Sequence, residues 1–383
     1  MTVGADNRAL VFRQWARLPA GVRATVAPWL LSRGLVLAAL ALARFVGDEL
    51  HATGRHHFTL SQGLFGWDAA YYRDVAAHGY DAVRHAQGLR FFPLVPLLAR
   101  VPGWLLGGRY GLALLLVVNA AAFGYGVLLH RLVARETGDG GLAEYAVWLG
   151  FLAPAGLALV TGYAESVLLF CSVATFLALR SRRWELAALA GFAAALTRPA
   201  GAFLIVPAAI EAARGLRGAG AREWLRRGVA VVAPAAGTAC YVVWVEVVYG
   251  DAFAPLRLQN SAKLRGGWEE PVGRLVRAAR DLFHHRVGSG LHVVWALLAI
   301  ALVVVAFRRL PSSYGAFAAV SVLVATAAHN LDSFERYALA AFPLTIAAAV
   351  LTWRPPLDRL VLVGSGAVLF GYAVLGFLGV SIP

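Results

Sequence analysis

Residues 24–46 read ATVAPWLLSRGLVLAALALARFV, with Arg33 and Arg44 as the only charges. A helix needs about 20 apolar residues to cross a hydrocarbon layer of roughly 30 Å, and this run is long enough. The arm before it carries arginines, but no small-residue cleavage site leads from the run into a soluble domain. It is therefore expected to be a retained first span and not a removed signal. Working outward, similar apolar runs recur at about 108–131, 142–160, 163–180, 184–198, 199–213, 229–249, 289–308, 314–331, 338–353 and 360–380. The chain of 383 residues is 60% hydrophobic and 15% charged, where a soluble domain carries roughly 25% charged residues. The expected fold class is an all-α polytopic membrane protein. It has about 11 transmembrane helices in a single membrane domain over 1–383, with no evident internal repeat.

The run 91–106 is short and holds three prolines and an arginine. Its Phe, Leu and Trp suit a helix lying in or dipping into the membrane interface. If it does not cross, the arginine clusters at 8–23, Arg131 and Arg135, 180–183, 213–227, Arg308 and Arg309, and 353–359 all fall on one side. The positive-inside rule makes that side cytoplasmic. This assigns the net charge of +14 to topology, and no nucleic-acid partner is expected. The expected location is the plasma (cytoplasmic) membrane, with the lipid bilayer as the chain's environment. The other side receives two long loops, 47–107 and 250–288, the turn around GYAES (162–166), the break at TRPAG (197–201), and HNLDSFERY (329–337). These segments hold most polar residues that have no topological job.

Cys171 and Cys240 lie inside apolar runs, so no disulfide framework is expected, and no Cys/His spacing fits a metal site. There is no D-x-D motif and no phosphate-binding glycine loop. Neither a metal nor a cofactor is expected.

Between the first and second long runs stands GLFGWDAAYYRDVAAHGYD (63–81). Asp68 is a plausible N-cap and Gly79 a plausible helix stop. Ala69, Tyr72, Val75 and Ala76 would share one face of a short amphipathic helix at the membrane surface. Two readings of Asp68 stand here. It caps the helix, or partial desolvation beside Trp67 raises its basicity and makes it a general base for a hydroxyl nucleophile. Asp74 and Asp81 read as surface residues.

Six segments, in order, resemble the PIG-V family, the second mannosyltransferase of GPI-anchor assembly and its bacterial relatives. WDAAYYRDVAAHGY (67–80) is similar to that family's W-D-x-x-x-Y-x-x-I-A-x-x-G-Y. RFFPLVPLLAR (90–100), APAGLALVTGYAESVLLF (153–170), ALTRPAG (195–201), YGDAFAPLRLQ (249–259) and RYALAAFPL (336–344) follow with their own counterparts. Val95 and Ala164 stand where the family has tyrosine and serine. The resemblance implies the GT-C glycosyltransferase fold with its active site on the non-cytoplasmic face. It also implies a polyprenyl (dolichyl-type) phosphate mannose donor and transfer with inversion to a hydroxyl on a glycan, glycolipid or protein acceptor.

On this resemblance Asp68 is the expected base. Arg198 and Arg336 are candidate phosphate holders, since a guanidinium matches phosphate oxygens. Tyr337, His85 and Glu165 are candidates to assist at the donor phosphate or sugar, and Trp67, Tyr71, Tyr72, Gln259 and Trp268 to touch substrate. Each has a plainer alternative. Arg198 snorkels, Arg336 pairs with Glu335 or Asp332, Glu165 complements a helix dipole, and Trp67 and Trp268 anchor at the interface. The competing functions are a transporter or lipid flippase, in which charges near the midplane and inverted repeats are usual, and a GT-C enzyme using another polyprenyl phosphate sugar.

Overall fold

The structure is a computed structural model that describes residues 17–49, 55–81, 84–216, 218–261, 264–284 and 287–380. The described residues are helical, without a strand; the one isolated bridge pairs Trp268 with Ala328. Five helices are long and apolar enough to cross a membrane: Ala20–Glu49, Tyr110–Thr137, Ala221–Tyr249, Gly290–Arg309 and Leu357–Phe377. A sixth crossing is available if Phe334–Ala340 and Pro343–Thr352, bent by 87°, count as one span. The helices Trp184–Ala195 and Ser312–Thr326 are apolar but shorter. Together these define an all-helical membrane protein.

The arginine-bearing segments meet at one end of the bundle. Arg135 donates to the Arg180 carbonyl and to Ser181. Arg180 pairs with Glu136 and Glu211, and Arg214 with Glu211 and Ser312. Trp353 donates to Asp139, and Gly21, beside Val127, brings in the described part of the first cluster. Residues 1–16, with the rest of that cluster, lie outside the described residues. Helix Tyr110–Thr137 measures the distance to the other end: its 28 residues at 1.5 Å each are about 40 Å long. Its last turns carry Arg135. Its first turns touch Phe65 and Arg73 through Gly111, while Leu114 and Ala69 both flank Gly162. The segment 63–81 therefore sits a full helix length from the arginine-rich end.

Helix Asp68–His78 buries Ala69, Tyr72, Val75 and Ala76, the face expected from the 3.6-residue period. Gly79, at φ 83°, ends it and donates its N–H to the Val75 carbonyl. Asp74 pairs with Arg73 at the surface. Helix Leu94–Leu105 has 12 residues, about 18 Å, too few to cross alone. It buries Val95 and Ala99 and exposes Leu97, Leu98, Val101, Trp104 and Leu105.

Two interruptions bring backbone into the interior near the site. Helix Trp184–Ala195 stops before Arg198, which is extended, and a 3-10 turn Pro199–Leu204 restarts the chain toward Ile205–Ala213. A Cβ on Gly201 would lie 2.2 Å from the Ala194 carbonyl oxygen, so this fold-back requires glycine. Irregular backbone at membrane depth is tolerated where it lines a cavity. The second interruption is Ala153–Ala164. Arg33, a charge inside the first span, donates to the Leu159 carbonyl at 2.6 Å and to Asn119 at 2.9 Å, and Asn119 donates to the Val160 carbonyl. Arg33 thus satisfies carbonyls that the broken helix leaves free, and fixes the loop that leads into Glu165.

Candidate functional site

A cavity of about 350 Å³ opens at the end away from the arginine clusters. All six of the quoted segments reach its wall. Trp67, Asp68, Tyr71 and Tyr72 come from the first, Arg90, Phe91 and Phe92 from the second, and Leu168 from the third. Arg198, Pro199 and Ala200 come from the fourth, Pro255, Leu256 and Gln259 from the fifth, and Arg336, Tyr337 and Ala340 from the sixth.

Four charged side chains form a ladder beneath it. Arg336 Nη1 donates to Asp68 Oδ2 at 2.6 Å, and Arg336 Nε lies 3.3 Å from Glu165 Oε1. The same Glu165 oxygen pairs with Arg198. Glu165 is 1% exposed and Arg336 6%, whereas Asp68 keeps 28% of its side chain open. Glu165 therefore does more than complement its helix, and Arg198 does not snorkel. Arg336 does not take Glu335 or Asp332 as its partner.

Asp68 is not the cap of its helix. The N-cap is Trp67, at φ 57° and ψ −128°, with no side-chain capping bond. Trp67 Nε1–H donates to the Gly376 carbonyl at 3.0 Å, which ties the entry turn to the last helix and leaves the carboxylate free to reach Arg336. The partner helix starts in a similar way: Ser333, at φ 63°, precedes Phe334–Ala340. Among described residues only Trp67, Arg182 and Ser333 are non-glycine residues with positive φ. Such conformations cost on the order of 1–3 kcal/mol and collect at functional sites; here two of the three deliver the two ends of one ion pair.

The electrostatics reverse one expectation. Burial opposes the charge on Asp68, but Arg336, Arg90 and Arg198 outweigh it and hold the carboxyl below its ordinary value. Desolvation alone does not decide its basicity. Asp68 is an ionised acceptor, and its strength as a base depends on how much of that positive field a ligand neutralises. Burial pushes the Tyr72 phenol up, so Tyr72 stays a neutral donor.

Three guanidiniums gather on the Tyr337 ring: Arg265 at 4.6 Å, Arg198 at 5.2 Å and Arg336 at 5.7 Å from its centroid. Arg90 lies over Phe91 and Tyr71, at 4.8 and 5.4 Å, and its buried Nε has no hydrogen-bond partner among the described residues. Tyr71 and Phe91 are stacked with centroids 4.8 Å apart. The arrangement offers cations to an anion, flat faces to a ring or lipid, and one carboxylate to a proton. Among described residues no group of three or more His, Cys, Asp or Glu is placed to hold a metal.

Trp67, Asp68, Tyr71, Tyr72, Arg198, Gln259, Arg336 and Tyr337 are thus brought to one cavity, with Glu165 behind them. Trp268 is not; its ring is 79% exposed, away from the wall. The His85 side chain lies outside the described residues. Arg90 and Arg265 were not singled out from the sequence. Their segments hold other arginines, Arg73 and Arg100 in one and Arg257, Arg274, Arg277 and Arg280 in the other, so no signal in the sequence marks these two. No family model, curated protein or solved structure matches the chain.

Proposed function

We propose that this protein is a membrane glycosyltransferase of the GT-C type. It moves mannose from polyprenyl phosphate mannose to an acceptor hydroxyl at the non-cytoplasmic face, with Asp68 as general base. The acceptor is a glycan, glycolipid or protein. The observation that carries this reading is the cavity itself: the ionised carboxylate of Asp68 shares it with Arg90, Arg198, Arg265 and Arg336, at the end opposite the arginine-rich segments. A lipid monophosphate donor needs cations for its phosphate, a base for the incoming hydroxyl and a site at the bilayer surface. The convergence of all six resembling segments on this wall supports the reading as well. On it, the eleven apolar runs become about eleven crossings, the shorter helices and the bent pair completing those that the long helices leave.

Arg336 is held by Asp68 and Glu165. A donor phosphate brings negative charge to the same guanidiniums and weakens their hold on Asp68. The carboxylate becomes a better base as the donor arrives, and takes the acceptor's proton while the hydroxyl attacks the anomeric carbon. The sugar–phosphate bond breaks and polyprenyl phosphate leaves on the arginines. Positioned proton transfer contributes about 10²–10⁴-fold. Polyprenyl phosphate added to the purified protein should raise its unfolding temperature, and Arg90→Gln or Arg265→Gln should shrink the rise. No rise in the wild type would remove the reading.

A further inference from the structure

The wall of the cavity contributed by residues 330–333 carries a second carboxylate, Asp332, which the proposed chemistry does not use. It is elaborately held. Asn330 Nδ2–H donates to Asp332 Oδ2 at 2.7 Å, and the Asp332 backbone N–H returns a bond to Asn330 Oδ1 at 2.9 Å. Behind it, His292 Nε2 is 3.8 Å from Asp332 Oδ1. The other ring nitrogen, Nδ1, lies 2.8 and 3.0 Å from the two oxygens of Glu335. Tyr372 O–H also donates to Glu335, at 3.3 Å, and accepts from Trp295 Nε1–H at 2.8 Å. His292 and Glu335 are both buried. Arg274, from the loop helix Pro271–Phe283, is 6% exposed, acts on Asp332 electrostatically, and has an Nε without a partner among the described residues.

The adjacent residues Glu335 and Arg336 therefore do different work from one short helix. Arg336 serves the cationic floor; Glu335 braces a histidine that backs Asp332. Both Asn330 amide N–H groups are taken, by Asp332 and by the Leu264 carbonyl at 3.1 Å, so the pair is fixed in orientation, and the lone pairs left on the carboxylate and the amide oxygen suit neighbouring O–H donors. Holding such groups rigidly lowers the cost of ordering them on binding. The Asn330 backbone N–H donates to the Arg265 carbonyl at 3.0 Å, so the carboxylate and the cations share one cavity. A phosphate would be repelled by Asp332 and drawn to the guanidiniums, which leaves the carboxylate to the sugar hydroxyls.

We infer that Asp332 and Asn330 form the hydroxyl-binding station for the transferred sugar, with His292 and Glu335 as positioning residues. This rests on the glycosyltransferase reading for its choice of sugar. The ligand class is a neutral pyranose with vicinal hydroxyls.

The test uses the full-length protein in lipid nanodiscs with methyl α-mannoside and its monodeoxy analogues as probes, read by saturation-transfer NMR. Wild type should bind methyl α-mannoside, and at least one deoxy analogue should bind about tenfold more weakly. Asp332→Asn should lose about tenfold toward the parent sugar and no longer distinguish that analogue. Asn330→Ala, as a second variant, should lose the same discrimination, and His292→Gln should weaken it. Binding that Asp332→Asn and Asn330→Ala leave unchanged, or a wild type that binds none of the probes, overturns the inference. A wild type that binds the sugar through Asp332 but never cleaves polyprenyl phosphate mannose would sink the proposed activity and leave this site standing.

Discussion

Arg336 donates to Asp68 at 2.6 Å across 268 positions of sequence, and the same guanidinium leans on Glu165. The bond joins the segment 63–81 to the helix Phe334–Ala340 at the cavity. It explains why an aspartate in a favourable capping position does not cap: a buried guanidinium is a stronger partner for a carboxylate than a backbone N–H.

Asp68→Asn keeps the shape of the side chain and an acceptor for Arg336, but removes the base. Transfer should fall about a hundredfold or more, far beyond what the loss of the Asp68–Arg336 ion pair takes from the unfolding temperature. Initial rates of sugar release, measured beside a thermal melt, separate the two effects. A variant that retains wild-type rate would end the claim that Asp68 takes the proton.

Glu165 should behave in the opposite way. It is the shared counter-charge of Arg198 and Arg336, so Glu165→Ala leaves two guanidiniums competing without it. Breaking a buried pair costs about 3–5 kcal/mol, so detergent-solubilised Glu165→Ala should melt well below wild type. Adding Arg198→Met should recover part of the loss. Additive destabilisation in the double variant would refute the shared-partner arrangement.

Arg90 and Arg265 are in no ion pair with the ladder, but Arg265 also donates to the Val324 and Ala325 carbonyls at 3.1 and 3.2 Å, so Arg90→Gln should spare the fold and Arg265→Gln should lower the unfolding temperature modestly. A charge-assisted hydrogen bond is worth about 1.5–3 kcal/mol. Each Arg→Gln change should therefore raise the donor KM roughly ten- to hundredfold, with a smaller effect on kcat. Steady-state kinetics against donor concentration decide this. Trp268→Ala, in contrast, should leave KM unchanged because its ring lies away from the cavity.

The pH response follows from the depressed carboxyl of Asp68, where burial is outweighed by Arg336, Arg90 and Arg198. A folded-state value below the unfolded one adds stability above the unfolded value. That stability is lost as pH falls through the folded value. The protein should thus hold the full Asp68–Arg336 contribution from neutrality down to the ordinary carboxylate value, and lose it progressively as pH falls from there through the lower folded-state value. Comparing the pH dependence of unfolding in wild type and Asp68→Asn tests this. A difference that vanishes above the ordinary carboxylate range would contradict it.

Local patterns were legible in the sequence. The buried face of Asp68–His78 follows the helical period, and Gly79 marks its end. The break after Arg198 is announced by Arg-Pro, because the residue before proline is driven out of the helical region, and Arg198 is extended. What was not legible depends on distant partners. A capping aspartate and a salt-bridged one read alike until Arg336 is beside it. Arg90 and Arg265 stand among other loop arginines, and only the fold shows that these two share a cavity. The brace on Asp332 is equally hidden, since His292 and Tyr372 lie in apolar runs far from HNLDSFERY. The short helices in the middle of the chain, broken at Ala153–Ala164 and at Thr197–Arg198, also look longer as apolar runs than they are as helices.

The most direct test of the central claim is turnover. Purified protein in membrane lipids is given polyprenyl phosphate carrying radiolabelled mannose, and free polyprenyl phosphate and labelled product are measured for wild type and Asp68→Asn. The account predicts release of polyprenyl phosphate with transfer of the label to an acceptor by wild type, reduced about a hundredfold or more by Asp68→Asn. Movement of intact polyprenyl phosphate mannose between leaflets without cleavage of the sugar–phosphate bond would contradict it.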